Sequence, residues 1–364
     1  MLGTGLVLLS YVAPNRTPVK RFPVCALSAG PPYTAGVEVI VLSAADVECL
    51  LPMGECIDLM SEALATLARG DAVVPLRTMM QPPDGPGLLG LMPGYISGPE
   101  PAFGFKAVTV FPGNAALGIE THQGAVALLD PGTGRLTALM DGSTVTAIRT
   151  AAVSALSARH LARADASELA IIGAGTQARR SLEALSCVRT LRAVRVWNRT
   201  RERAEELQAE VSPRYGFPIA VTDSAAEAVR GADIVVTATH ATEPVLEAGW
   251  LARGAHVVAV GGRPPDGREL DTATVAAARL YVDRRESALN EGGDVRIPIR
   301  EGAIRPEHIV AELGEVVAGM TPGRGSDDEL TVFKSYGISV EDLAAAAHVV
   351  RRAIAGGVGA RVEL

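Results

Sequence analysis

Residues 168–185 read ELAIIGAGTQARRSLEAL, an apolar strand that enters a helix-forming segment through Gly173, Gly175 and Ala178. In this G-x-G-x-x-A spacing Gly173 permits a tight turn, Gly175 leaves room for a pyrophosphate, and Ala178 lets helix and strand pack closely. The helix then opens at Thr176 and Gln177, aiming backbone N–H groups at the phosphates. A glycine turn without nucleotide is the competing reading, and the alternating strands that follow argue against it. The next strand, AVRVWN, should end in an acid that grips the ribose 2′-hydroxyl if NAD is used. It ends instead in Asn198, Arg199, Thr200, Arg201 and Arg203. With no carboxylate to repel a 2′-phosphate and guanidinium groups to hold one, the charge favours NADPH over NADH. The alternative is that these arginines only solvate a helix start.

Three cations in the first half sit in apolar surroundings. Lys106 lies inside FGFKAVTVF, Arg149 is the only charge between Asp141 and Arg159, and Arg77 opens RTMM. Each alone reads as a snorkelling edge residue. Together they also suit a dry pocket for an anionic substrate such as an α-carboxylate. A further polar group follows the strand HVVAV, where Gly261-Gly262 lead into Arg263, Asp266, Arg268 and Glu269. Asp266 is either an acid of the site or a turn residue in PPDG. His122, beside Glu120, and His240, after TAT, read as loop residues before acid–base groups. No histidine or carboxylate spacing suits a metal, so none is expected.

These residues need elements to position them. ELAIIG, AVRVWN, IAVTD, DIVVTAT, HVVAVGG and RLYVD are short strands between helix-forming segments from about 165 to 305, which implies an α/β doubly wound parallel sheet. Before them, VEVIVLS, RTMMQ, GLLGLMPGYI, FGFKAVTVF, GAVALLD and LTALMD read as strands of another sheet. One helix is expected over 43–70 and another from Ser143 or Thr144, either of which suits an N-cap. PEHIVAELGEVVAGM and SVEDLAAAAHVVRRAIAGG read as helices, the second ending at Gly356-Gly357. Residues 1–36 read as a Pro-rich extension. Leu6–Val12 lacks the preceding positive charge of a secretory signal.

The 364 residues suffice for a large core, probed by 48% hydrophobic content. A net charge of −7 argues against nucleic acid as main partner, and no apolar run suits a bilayer span. Four cysteines without a CxxC pair suit a reduced cytoplasm and no disulfide framework.

The segments LMPGY, GFKAV, ALMDGSTVTAIRTAAVSALSARHLA, IIGAGTQARRSLEAL, ADIVVTAT and TVFKSYGISVEDLAAA together resemble the ornithine cyclodeaminase/μ-crystallin family from Val37 onward. The resemblance implies a Rossmann NAD(P)-binding domain over 161–319 and a discontinuous α+β substrate and dimerisation domain over 37–160 and 320–364. It implies that Arg77, Lys106 and Arg149 grip a substrate carboxylate, and that Thr150 lies against the cofactor. Thr237, Thr239 and Gly261 would border the cofactor at the strand ends, with Lys334 and Ser335 closing the site near the nicotinamide. Cyclodeaminases of the family carry an aspartate where this chain has Arg263, and an arginine stays protonated near neutral pH. RPPDGREL is closer to the ketimine-reductase pattern, which leaves Lys106 and Asp266 as the candidates for catalysis. Asp266 or Asp294 is the acid by which a cyclodeaminase reading stays open.

The expectation is therefore an NAD(P)H-dependent oxidoreductase acting on the C–N bond of a small amino or imino acid, as a cytoplasmic homodimer. An ammonia-releasing ornithine or lysine cyclodeaminase is the first alternative. A catalytically inactive NADPH or small-ligand binding protein is the second.

Overall fold

The computed structural model describes residues 38–262 and 267–364. The expected N-terminal extension, Arg263 and Asp266 lie outside the described residues. A first sheet contains β1 (Glu38–Leu42), β2 (Ala72–Val73), β3 (Thr78–Met80), β4 (Leu88–Ile96), β5 (Ala102–Val110), β6 (His122–Leu129) and β7 (Leu136–Asp141). Its order is C-terminal strand Ala360–Glu363, then β1, β7, β6, β5, β4 and β2, with β3 also on β4. Only β1 and β7 pair in parallel.

Side chains alternate across a strand, so register decides which residues share a face. Met92 pairs with Lys106, Lys106 with Val126, Val126 with Met140, and Met140 with Leu42. Lys106 thus stands in an otherwise apolar row on the buried face. The helix α3 (Gly142–Leu161) and the C-terminal helix Ser339–Gly356 pack over that face.

Two local expectations change. The helix expected over 43–70 is two helices, α1 (Ala44–Leu50) and α2 (Met53–Ala68), parted at Leu51-Pro52. Proline disfavours the α region in the residue before it, and Leu51 sits at φ −124 and ψ 70. The cap of α3 is Asp141, whose side chain accepts from Thr144 N at 2.7 Å. It precedes both residues expected to cap it.

The second sheet is wholly parallel. It contains β8 (Glu168–Ile172), β9 (Ala193–Trp197), β10 (Ile219–Val221), β11 (Ile234–Thr237), β12 (His256–Ala259), β13 (Arg279–Val282), β14 (Ile309–Glu312) and β15 (Thr331–Lys334). The order β10-β9-β8-β11-β12 reverses direction beside β8, which creates the crevice where a dinucleotide binds in a Rossmann fold. Intervening helices are α4 (Thr176–Val188), α5 (Arg201–Val211), α6 (Ala225–Val229), α7 (Thr272–Ala277), α8 (Arg285–Asn290), α9 (Gly293–Arg300) and α10 (Leu313–Val317). The helix expected across 306–320 is instead β14 followed by the short α10. Ile309 and Ala311 alternate inward on a parallel edge, and so short an apolar run carries no distinctive period.

β15 follows the boundary expected at 320. It inserts between β12 and β13, with all four residues buried, so this returning segment belongs to the nucleotide-type sheet. A strand buried on both faces lacks the alternation that would have marked it. The chain then crosses back as α11 (Ser339–Gly356), capped by left-handed Gly357, and as β16 (Ala360–Glu363) on the first sheet. Among the described residues no helix is long and apolar enough to cross a membrane.

Candidate active site

The glycine-rich spacing lies at the turn between β8 and α4. Gly173 has φ 118, and a Cβ there would lie 2.5 Å from the carbonyl oxygen of Ala238. Gly175 precedes α4, and a Cβ there would meet nothing within 4 Å. The N-terminus of α4 has no side-chain cap, which leaves its first turn without a side-chain acceptor, as a pyrophosphate site requires. Ala178 is fully buried against the sheet. Thr176 Oγ1 donates to Glu120 Oε1 at 3.3 Å, and Gln177 Oε1 is buried without a hydrogen-bond partner among the described residues. Beyond β9, Asn198 Nδ2 donates to the carbonyl of Thr200 at 2.8 Å. Arg201 is held by Glu205 and Asp223. Arg199 and Arg203 are exposed and form no ion pair among the described residues.

The structure brings the three cations of the first half together. Asp342 receives Lys106 Nζ at 2.8 Å on one oxygen and Arg149 Nε at 2.9 Å on the other. Arg149 Nη1 donates to Glu341 Oε2 at 2.6 Å. Lys106 also donates to Thr146 Oγ1 at 3.3 Å. Arg77 Nη2 pairs with Glu291 Oε2 at 2.7 Å and donates to the carbonyls of Tyr336 and Gly337 at 3.0 and 2.7 Å. Arg149 and Arg77 therefore meet at Gly337, and Arg149 and Lys106 meet at Asp342. Lys106 and Arg149 are nearly sealed from water, whereas Arg77 is half-buried.

Burial sets these charges apart. Burial pushes Asp342 up, but Arg149 and Lys106 outweigh it and hold its carboxyl below the usual range. For Glu341 burial wins over Arg149, and its carboxyl is pushed up to about 7. Both acids lie in the first turn of α11, where the helix dipole favours negative charge. That turn is aimed by Asp283, whose Oδ2 accepts from Tyr336 N at 2.5 Å and Gly337 N at 2.6 Å.

A second buried network ties down the strand ends. Glu269 Oε2 accepts from Thr237 Oγ1 and Gly261 N, and its Oε1 from Thr239 N and Oγ1, all at 2.7 Å. Asp294 Oδ1 accepts from Glu269 N at 2.8 Å and Leu270 N at 2.9 Å. Its Oδ2 lies 2.9 Å from Lys334 Nζ, which also donates to the carbonyl of Gly261. Both threonine hydroxyls thus serve Glu269. Ser335 is buried and donates its N–H to Ala259 O at 3.0 Å. Thr150 is buried beside Arg149 in sequence, and its Oγ1 has no hydrogen-bond partner among the described residues. His122 and His240, read separately from sequence, face each other with ring centroids 5.7 Å apart.

Sequence reasoning missed Asp283, Glu291, Glu341 and Asp342 as site residues. The usable signal was electrostatic: three cations in dry surroundings require counter-charges, and the Glu-Asp pair opening a helix after Gly337 was an available source.

Comparison with known proteins gives the lineage. The model of the ornithine cyclodeaminase/mu-crystallin family matches residues 37–357. The chain belongs to that family. It is 39% identical over 326 residues to a Delta(1)-pyrroline-2-carboxylate reductase of Bacillus cereus, covering 89% of this chain and 100% of that one. It is 44% identical over 287 residues to the ketimine reductase mu-crystallin of Mus musculus, covering 78% and 87%. The structure of Thermococcus litoralis Delta(1)-pyrroline-2-carboxylate reductase in complex with NADH and L-proline superposes with a TM-score of 0.87 at 40% identity, covering 89% and 100%.

Proposed function

We propose that this protein reduces a cyclic α-imino acid with NADPH, giving the corresponding cyclic amino acid. The broader activity, a nicotinamide-dependent oxidoreductase acting on the C–N bond of small amino or imino acids, follows from its relatives. The observation that carries the finer reading is the convergence of Lys106, Arg149 and Arg77 around Gly337 and Asp342. A carboxylate placed there gains charge-assisted hydrogen bonds in a dry setting.

In this reading the open N-terminus of α4 holds the pyrophosphate, while Arg199 and Arg203 hold the 2′-phosphate. When bound there, the nicotinamide would supply the hydride for the imine carbon, and the proton for the imine nitrogen would come from the candidate acid or from water. The protein's part is to align substrate and cofactor and to exclude water. Glu269, Asp294 and Lys334 fix the strand ends at Thr237, Thr239 and Gly261, and Asp266 is our candidate for the acid. Lys106 would both hold the carboxylate and set the charge around the imine. A homodimer is part of the proposal: Met79, Leu91, Phe103 and Leu139 lie exposed on β3, β4, β5 and β7 and would be covered by a second copy.

A paired assay tests the reading. NADPH consumption with Δ1-pyrroline-2-carboxylate or Δ1-piperideine-2-carboxylate, without ammonia release from L-ornithine or L-lysine, is the expected result. Ammonia release with catalytic NAD+ would make the protein a cyclodeaminase. Cofactor binding without turnover in either arm would overturn catalysis altogether.

A further inference from the structure

We infer that Glu341 is the charge-compensating group of the substrate site, taking a proton from solvent when a carboxylate ligand settles on Arg149 and Lys106. This inference rests on the proposed placement of the substrate carboxylate.

The argument begins with the charge balance of the buried cluster. Among the described residues Lys106 and Arg149 supply two positive charges that meet Asp342 and Glu341, two negative ones, within 2.6–2.9 Å, while Arg77 is offset by its own partner Glu291. A ligand carboxylate added to the same two cations leaves three negative charges against two positive. In a buried site such an excess is costly, and the cheapest relief is to neutralise one acid. Asp342 is poorly placed for that role, because both of its oxygens hold cations. Glu341 is well placed. Only its Oε2 reaches Arg149, while Oε1 is buried with no hydrogen-bond partner among the described residues.

The surroundings of Glu341 agree. Arg149 faces it from α3 and Lys106 from β5, while Asp283 at the end of β13 and the adjacent Asp342 repel its charge. The Cys56 thiol on α2 is also close, but burial pushes it up to about 12, so it stays neutral. Burial has already pushed the Glu341 carboxyl up to about 7, where a further negative charge nearby is enough to protonate it at neutral pH. Protonated Glu341 would loosen its hold on Arg149 Nη1 and free that donor for the ligand.

The test uses the full-length protein saturated with NADP+ and titrated calorimetrically with cyclopentanecarboxylate. This probe has a five-membered ring and a carboxylate but no nitrogen to exchange protons. Repeating the titration in buffers of different ionisation enthalpy counts protons. The expected result is close to one proton taken up per carboxylate at pH 8 and almost none at pH 6, where Glu341 already carries it. Affinity should fall by about tenfold per pH unit above neutrality, as one-proton linkage requires. E341Q, which mimics the protonated form, should bind with no proton uptake and a flat pH profile.

Binding without proton uptake at pH 8 would overturn the inference, and the wild type alone can show it. Uptake unchanged in E341Q would also overturn it, pointing to Asp283. A different failure marks the substrate-site reading. If the probe does not bind, or binds equally to a K106M variant that still takes up NADP+, the carboxylate does not rest on this cluster and both readings fall.

Discussion

Gly337 lies so close to Arg149 that a Cβ on the glycine would sit 2.6 Å from Nη1 of the guanidinium. The glycine also has φ 72, a left-handed conformation that costs an L side chain roughly 1–2 kcal/mol. Gly337→Ala should therefore lower the melting temperature and push Arg149 off its partners. Steady-state kinetics with the imino acid should show kcat/KM reduced by roughly 10²-fold, as displacement of a positioning group does. NADPH affinity, measured by fluorescence, should be little changed.

Arg149→Met leaves Glu341 and Asp342 as buried carboxylates with one cation removed. Breaking such a pair from one side costs about 3–5 kcal/mol. Urea denaturation of the variant should show that loss. A midpoint like that of the wild type would mean that the acids protonate or reach water instead.

Replacing Arg199 and Arg203 by glutamate should invert the cofactor preference. Each charged hydrogen bond to a 2′-phosphate contributes about 1.5–3 kcal/mol, so the ratio of kcat/KM for NADPH over NADH should fall by at least tenfold. An unchanged ratio would place the 2′-phosphate elsewhere.

Glu269→Gln preserves shape but not acceptors. The carboxylate takes four hydrogen bonds at 2.7 Å from Thr237, Thr239 and Gly261. An amide nitrogen cannot accept from the donors it would face, and each one left unpaired costs about 1–3 kcal/mol. The turnover rate at saturating NADPH should drop well below the unfolding temperature. A variant with reduced stability but full turnover would assign Glu269 to folding alone.

The raised pKa of Glu341 also links stability to pH. Its ordinary value is 4.5 and its value in the fold is about 7, so the folded state binds the extra proton between those limits. Its contribution is fully present below pH 4.5 and is lost as pH rises through 7, a swing of about 3 kcal/mol. Relative to E341Q, the wild type should lose stability on going from pH 5 to pH 8. Parallel melting curves for the two proteins across that range would contradict it.

The turn between β8 and α4 was legible because its signals are local. Gly173, Gly175 and Ala178 act within one turn, and the arginines after β9 stand where the strand delivers them. The cation cluster was only half legible: Lys106, Arg149 and Arg77 stood out as charges in dry surroundings, but their carboxylates lie far along the chain. Arg149 and Asp342 are 193 residues apart, and only the crossing of α11 over the first sheet joins them. Leu51-Pro52 and the 306–320 segment were misread for opposite reasons. In the first a continuous apolar pattern hid a break, and in the second a strand too short to show its period passed for helix.

The position of β15 has a bearing on how the molecule is made. Its neighbours β12 and β13 follow each other in the chain, yet the strand between them is not synthesised until about fifty residues after β13 begins. Until that strand is made, β12 and β13 lack the partner that pairs their facing backbone groups in the finished sheet. The same late stretch carries Gly337, Glu341 and Asp342, so a ribosome that stalls before Thr331 releases a chain without a finished sheet and without counter-charges for Lys106 and Arg149. Closing the second sheet and supplying counter-charges to those two cations thus depend on one late segment of the chain.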